Sequence, residues 1–229
     1  MKNLTIILFF LIGISANSQT FNVKGIQKYC ETDRTDSRER YLSVLQNDSV
    51  IVENVKTRFG EFKIKGLKEG FYTLKFTNIF GQIVNQKVEI LKSGNPISIC
   101  VDTFQETNEK TLFSELKNQD KLIIEYTSSG CFHFDKEQME FYYEKNKFIA
   151  ELYISEKLVK RKKLDSKSLE YLIEFEKKVK QMKNNMGGCT TSDLYVFSLN
   201  NKSGFSVSDS SCDWNGYRKL KKEILNYKK

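Results

Sequence analysis

From Phe21 to about Asp102 apolar and polar positions alternate in short runs: "FNVKGI", "RYLSVLQ", "SVIVENV", "EFKIKGL", "FYTLKFT", "IVNQKVEIL" and "ISICVD". Gly, Asn and Asp separate them. A period of two places alternate side chains on one face of a strand. Runs this short, with turns this frequent, predict a small all-β sandwich over residues 19–102.

The pattern then changes. Thr103 to Asn108, "TFQETN", is polar and predicts a linker. A short helix is expected over Glu109 to Lys117, with Leu112, Phe113 and Leu116 as its apolar stripe. "KLIIEY", "QMEFYYE", "FIAELYI" and "LVKRKKL" alternate again and predict an antiparallel meander with one buried face, turning at Lys145-Asn146. From Asp165 to about Asn185 the period becomes helical. Asp165 is the N-cap, with Leu164 and Leu169 as a staple around it. Leu169, Leu172, Ile173, Val179 and Met182 form the buried stripe, Glu174–Lys178 and Glu176–Lys180 are spaced as i,i+4 pairs, and Gly187-Gly188 supplies the stop. Two more strands, "DLYVFSL" and "GFSVSD", turn at Asn200-Asn201. A last helix starts near Trp214, with Trp214, Tyr217, Leu220, Ile224 and Tyr227 on its inner face. Residues 109–229 therefore read as a small α+β domain with an antiparallel sheet. The lack of a glycine-rich phosphate loop argues against a nucleotide-binding fold.

The first 18 residues stand apart. Lys2 precedes an apolar run from Leu4 to Ile14, and Ala16-Asn17-Ser18 offers small residues for cleavage before Gln19. This is the pattern of a signal peptide. It predicts a periplasmic or extracellular protein with no transmembrane segment after cleavage. Export changes the meaning of the charge. The formal net charge is +8, or +7 without Lys2. Outside the cytoplasm such a charge points to acidic polysaccharide or another envelope component as partner rather than to nucleic acid. Lys160-Arg161-Lys162-Lys163 reads as a strand edge guarded against aggregation.

The stretch "TRFGEFKIKGLKEGFYTLKFTNIFG" is more specific. Gly60, Phe62, Ile64, Leu67, Gly70, Tyr72 and Leu74 follow a turn glycine, Phe-x-Ile, Leu, Gly-x-Tyr-x-Leu order. This resembles the carboxypeptidase regulatory-like domain, a transthyretin-like (prealbumin-like) sandwich. Lys68-Glu69 stands where that pattern commonly has a proline before the second glycine, and Arg58 where an acid is common. The resemblance implies a carbohydrate-binding-like fold that acts as a spacer or docking module. It implies no catalytic residues and says nothing beyond Asp102.

Five cysteines and one histidine remain as candidate chemistry: Cys30, Cys100, Cys131, Cys189, Cys212 and His133. Five thiols in an oxidising compartment leave at least one unpaired within the chain. Cys189 and Cys212 flank a predicted hairpin, whose ends meet, so they are the first disulfide candidates, with Cys131 as the alternative partner. Cys30 and Cys100 are further candidates in the sandwich. In "SSGCFHFD" Cys131 lies two residues from His133. Thiol catalysis would need that histidine as its base. Zinc would need Cys131, His133, Cys189 and Cys212 together, without any C-x₂-C spacing. The plainer expectation is a buried or bridging Cys131 and a loop His133, with no catalytic, cofactor or metal residue. The chain reads as a non-catalytic binding or structural protein of the envelope. The alternative is a secreted enzyme, catalytic in its α+β half and docked by its sandwich.

Overall fold

The computed structural model describes residues 20–92, 94, 96–182 and 189–227. The predicted signal peptide and the glycine stop at 187–188 lie outside these. Antiparallel sheets dominate. The first eight strands are β1 (Phe21–Tyr29), β2 (Arg34–Thr35), β3 (Tyr41–Gln46), β4 (Ser49–Lys56), β5 (Glu61–Leu67), β6 (Gly70–Thr77), β7 (Ile83–Ile90) and β8 (Ile97–Cys100). One sheet runs β2-β1-β5, with β8 pairing β1 in parallel; the other runs β4-β3-β6-β7. Leu42, Val44, Tyr72, Leu74 and Phe76 of one sheet meet Val23, Phe62, Ile64 and Ile99 of the other in a single apolar cluster. This is a β-sandwich. Alternation explains which residues enter it: Phe62, Ile64, Tyr72 and Leu74 are buried while Lys63, Lys65 and Phe71 are exposed. Gly60 takes φ +84°, and a β-carbon there would lie 2.9 Å from the Asp36 carbonyl oxygen, so the turn needs glycine.

Beyond it lie α1 (Leu112–Glu115), β9 (Lys121–Gly130), β10 (His133–Glu144), β11 (Lys147–Ile154), β12 (Lys157–Lys163), α2 (Ser166–Met182), β13 (Ser192–Leu199), β14 (Lys202–Asp209) and α3 (Gly216–Leu225). The six strands form one antiparallel sheet in the order β12-β11-β10-β9-β13-β14. Lys145-Asn146 and Asn200-Asn201 turn the chain with both φ positive, as two-residue hairpins favour. β12 is an edge strand, so its lysines do guard an edge.

Helix α1 is shorter than its apolar stripe predicted. Thr111 caps it in a reciprocal box with Ser114, and Leu116 is already extended. In α2 the Asp165 carboxylate accepts the Ser168 N–H at 2.8 Å, and Leu172, Phe175, Val179 and Met182 are buried. Each such side chain contributes roughly 1.5–3 kcal/mol. Helix α3 begins at Gly216, after Trp214 rather than with it.

The helical layer and the inner sheet face share one core, and four sandwich residues, Tyr29, Ile79, Phe80 and Val101, belong to it. The polar segment after Asp102 is pinned as well. Asn78 Nδ2 donates to the Thr103 carbonyl at 2.8 Å, and Gln82 exchanges hydrogen bonds with the Gln105 backbone at 2.9 Å. Phe104 packs edge-on against Phe80, with centroids 5.5 Å apart.

Candidate functional site

Where the helices meet the turn after β1 the surface opens into a cleft of about 350 Å³. This lies within the roughly 300–1,000 Å³ usual for small-ligand sites. Helical spacing builds two of its walls. Tyr171, Glu174, Phe175 and Lys178 of α2 recur every three or four residues, as do Lys219, Lys222 and Glu223 of α3. The third wall is the turn residues Glu31 and Thr32, and Trp214 lies in the approach to α3. Phe175 and Trp214 stack with centroids 5.5 Å apart and planes at 29°, and Phe80 meets the indole edge-on. The cleft therefore has aromatic backing and a charged rim.

The rim charges balance: Glu31, Glu174 and Glu223 against Lys178, Lys219 and Lys222. Lys178 pairs with Glu174 at 2.6 Å, and Lys219 pairs with Glu31 across the mouth. The Tyr171 hydroxyl is pushed up to about 12, by burial first and then by Glu223, Glu31 and Glu174, so it stays a neutral donor. Such a rim holds both hydrogen-bond donors and acceptors and carries no net charge.

Below Trp214 a polar hub ties the sandwich to α3. The Asp213 carboxylate accepts the Tyr29 hydroxyl and pairs with Arg38 and Arg40; Arg40 also pairs with Asp36 at 2.8 Å. A second polar cluster lies under α3. Lys221 and Glu137 form a buried ion pair at 2.6 Å, and Tyr126 stacks on Tyr217 at 4.0 Å. Beside it, Asp193 and Asp209 are direct partners across β13 and β14.

The cysteines fall as two bridges and one thiol. Cys189 is joined to Cys212, and Cys30 to Cys100. Cys131 is free and exposed at the β9–β10 turn, which corrects the expectation of a buried or bridging sulfur. The turn carries it out to solvent, unpaired with either of the other two sulfurs of its half. The four-ligand zinc set is not assembled, because Cys189 and Cys212 spend their sulfurs on each other. His133 opens strand β10 instead of lying in a loop. Its Nε2 is 3.1 Å from Ser128 Oγ, and its ring lies over Gly130, where a β-carbon would come within 2.5 Å of Cε1.

Neither His133 nor any of the five cysteines lines the cleft. Its lining residues belong, on the sequence pattern alone, to inner helix stripes or to solvated surface. The chain's single tryptophan, two residues after Cys212, is the one local signal that marks it. No known protein family, curated protein or solved structure matches the chain.

Proposed function

We propose that this is an exported, non-catalytic binding protein of the cell envelope, and that its ligand is a carbohydrate held in the cleft between the sandwich and the helices. The observation that carries the reading is the rim: three carboxylates and three ammonium groups around an aromatic wall. Donors and acceptors together satisfy the hydroxyls of a sugar, and its C–H faces pack on aromatic rings. Residues 19–102 act as a carboxypeptidase regulatory-like module and supply one wall. Residues 109–229 act as an α+β domain and supply the others. Two disulfides favour an oxidising compartment. No helix among the described residues is long and apolar enough to cross a membrane.

The balanced rim favours a neutral sugar. The net charge of the chain draws acidic polysaccharide to the surface in a separate, weaker way. That attraction fades as salt shortens the Debye length from about 8 Å at physiological strength to about 3 Å at 1 M. Affinity electrophoresis through gels holding a neutral glucan, a mannan or polygalacturonate separates the two. The expected result is retardation by a neutral polysaccharide that survives 1 M salt and is lost in a Lys222→Ala/Glu223→Ala variant. Retardation by polygalacturonate alone, abolished by salt, would leave charge as the only basis of binding. Release of reducing ends during incubation would favour the enzyme alternative.

A further inference from the structure

The wall of the cleft opposite the helices is Glu31 and Thr32, in a short turn whose side chains are exposed. What places it is the segment after β8. The Asp102 carboxylate, nearly buried, accepts the N–H of Cys30 at 2.8 Å through Oδ1 and the N–H of Glu31 at 3.0 Å through Oδ2. Cys30 is bonded to Cys100, and Val101 donates its N–H to the Lys28 carbonyl at 3.0 Å. Beyond these the turn has the β1–β2 pairing at its base (Tyr29 with Arg34, Lys28 with Thr35), one internal backbone bond, Thr32 N–H to Tyr29 O, and the Glu31–Lys219 ion pair across the mouth.

We infer that Asp102 is a positioning residue for the cleft. Acting with the Cys30–Cys100 bridge, it presets Glu31 and Thr32 as the specificity-determining rim that faces Trp214. A two-oxygen carboxylate is the side chain that satisfies two successive backbone N–H groups at once. Without it both donors lose their partner, and the rim is left with one disulfide, the two-residue β1–β2 pairing at its base, one backbone bond of the turn and an exposed ion pair, which contributes little. A rim ordered beforehand spares the ligand the cost of ordering it. The inference rests on the cleft being the binding site, but the placement of the rim is measurable without any ligand.

The reporter is Trp214, the only tryptophan in the chain. Acrylamide quenching is compared for wild type, Asp102→Ala, Asp102→Asn and Cys30→Ser/Cys100→Ser, at a temperature where circular dichroism gives each the wild-type spectrum. The quenching constant should rise about twofold in Asp102→Ala, as expected of a locally opened segment. The asparagine variant, which keeps one acceptor oxygen, should fall between. If Asp102→Ala does not fold, Asp102→Asn and the double serine variant carry the test. Affinity for a neutral gluco-oligosaccharide mixture should fall about tenfold with the quenching change, the size expected from lost preorganisation. Wild-type quenching in the Asp102 variants would overturn the positioning role. Wild-type affinity beside altered quenching would reduce Asp102 to a merely structural residue. A wild-type protein that binds no neutral oligosaccharide would sink the cleft reading and leave the quenching comparison to decide the placement of the rim.

Discussion

The hydroxyl of Tyr29, at the end of the first strand, lies 2.5 Å from Oδ1 of Asp213, 184 residues further along. Asp213 is only 5% exposed and also faces Arg38 and Arg40. It therefore joins the sandwich to the segment that carries Trp214 into α3. Replacing Asp213 with alanine leaves two guanidinium groups without that partner. Breaking a buried pair from one side costs about 3–5 kcal/mol, and the part-exposed arginines reduce this to roughly 2–3 kcal/mol. Urea unfolding should show the loss as a lower midpoint, with tryptophan fluorescence and far-UV circular dichroism no longer coinciding. An unchanged midpoint would mean that the hub does not couple the two cores.

The bridges differ in the loops they close. Cys189–Cys212 spans 23 residues and Cys30–Cys100 spans 70. The chain-entropy account gives about 3 kcal/mol for the first and about 4 kcal/mol for the second. Paired serine substitutions followed by denaturant titration check the order. Cys131→Ser should shift stability by less than about 0.5 kcal/mol, as at other exposed sites. The native protein should react with one equivalent of a thiol reagent.

Asp209 gives a prediction in pH. Burial, and next to it Asp193 and Asp213, holds its carboxyl above the usual 3.8, against the lowering bonds from Ser211. A raised carboxyl favours the folded state below its unfolded pKa, and that benefit is lost as pH rises through the folded value. At neutral pH, burial of the Asp209 carboxyl therefore costs the wild type stability that asparagine does not lose. Asp209→Asn should melt higher at pH 7, with the advantage shrinking to nothing as pH falls below about 3.8. A variant less stable at pH 7 than at pH 4, relative to wild type, contradicts the sign.

His133 and Gly130 should be coupled. Gly130→Ala places a methyl group where the imidazole lies, so it should cost more with His133 present than in a His133→Ala background. A double-mutant cycle on melting should return a coupling of at least about 0.5 kcal/mol, the lower end for residues in contact. His133→Ala alone should cost under about 1 kcal/mol, since the single bond it loses is part-exposed. A coupling of zero would mean that the ring has another resting place.

The local parts of the fold are legible in the sequence for reasons that can be named. Strand alternation marks Phe62, Ile64, Tyr72 and Leu74 as inward, and helical spacing does the same for Leu172, Val179 and Met182. The hairpin signal brings Cys189 to Cys212, because the two flank one antiparallel pair. Cys30–Cys100 depends on β8 lying parallel to β1, a pairing of distant segments with no local mark. The cleft is hidden for the same reason. Glu31, Tyr171 and Trp214 come from three parts of the chain, and only packing around Phe80 and Asp213 brings them together. Helical spacing places Trp214 first on an inner helix face. It lies before α3, where its ring can serve both the core and the cleft.

Binding of a neutral sugar in the cleft, against Trp214, is what we propose for this protein. The most direct measurement is titration of Trp214 emission with neutral gluco-, manno- and xylo-oligosaccharides, in 0.15 M and 1 M salt, concentrations that bracket the fall of the Debye length from about 8 Å to about 3 Å. A saturable change is expected with at least one of them, equal at both salt concentrations and absent in Lys222→Ala/Glu223→Ala. Emission that stays flat with every neutral oligosaccharide, and moves only with polygalacturonate at low salt, would contradict it.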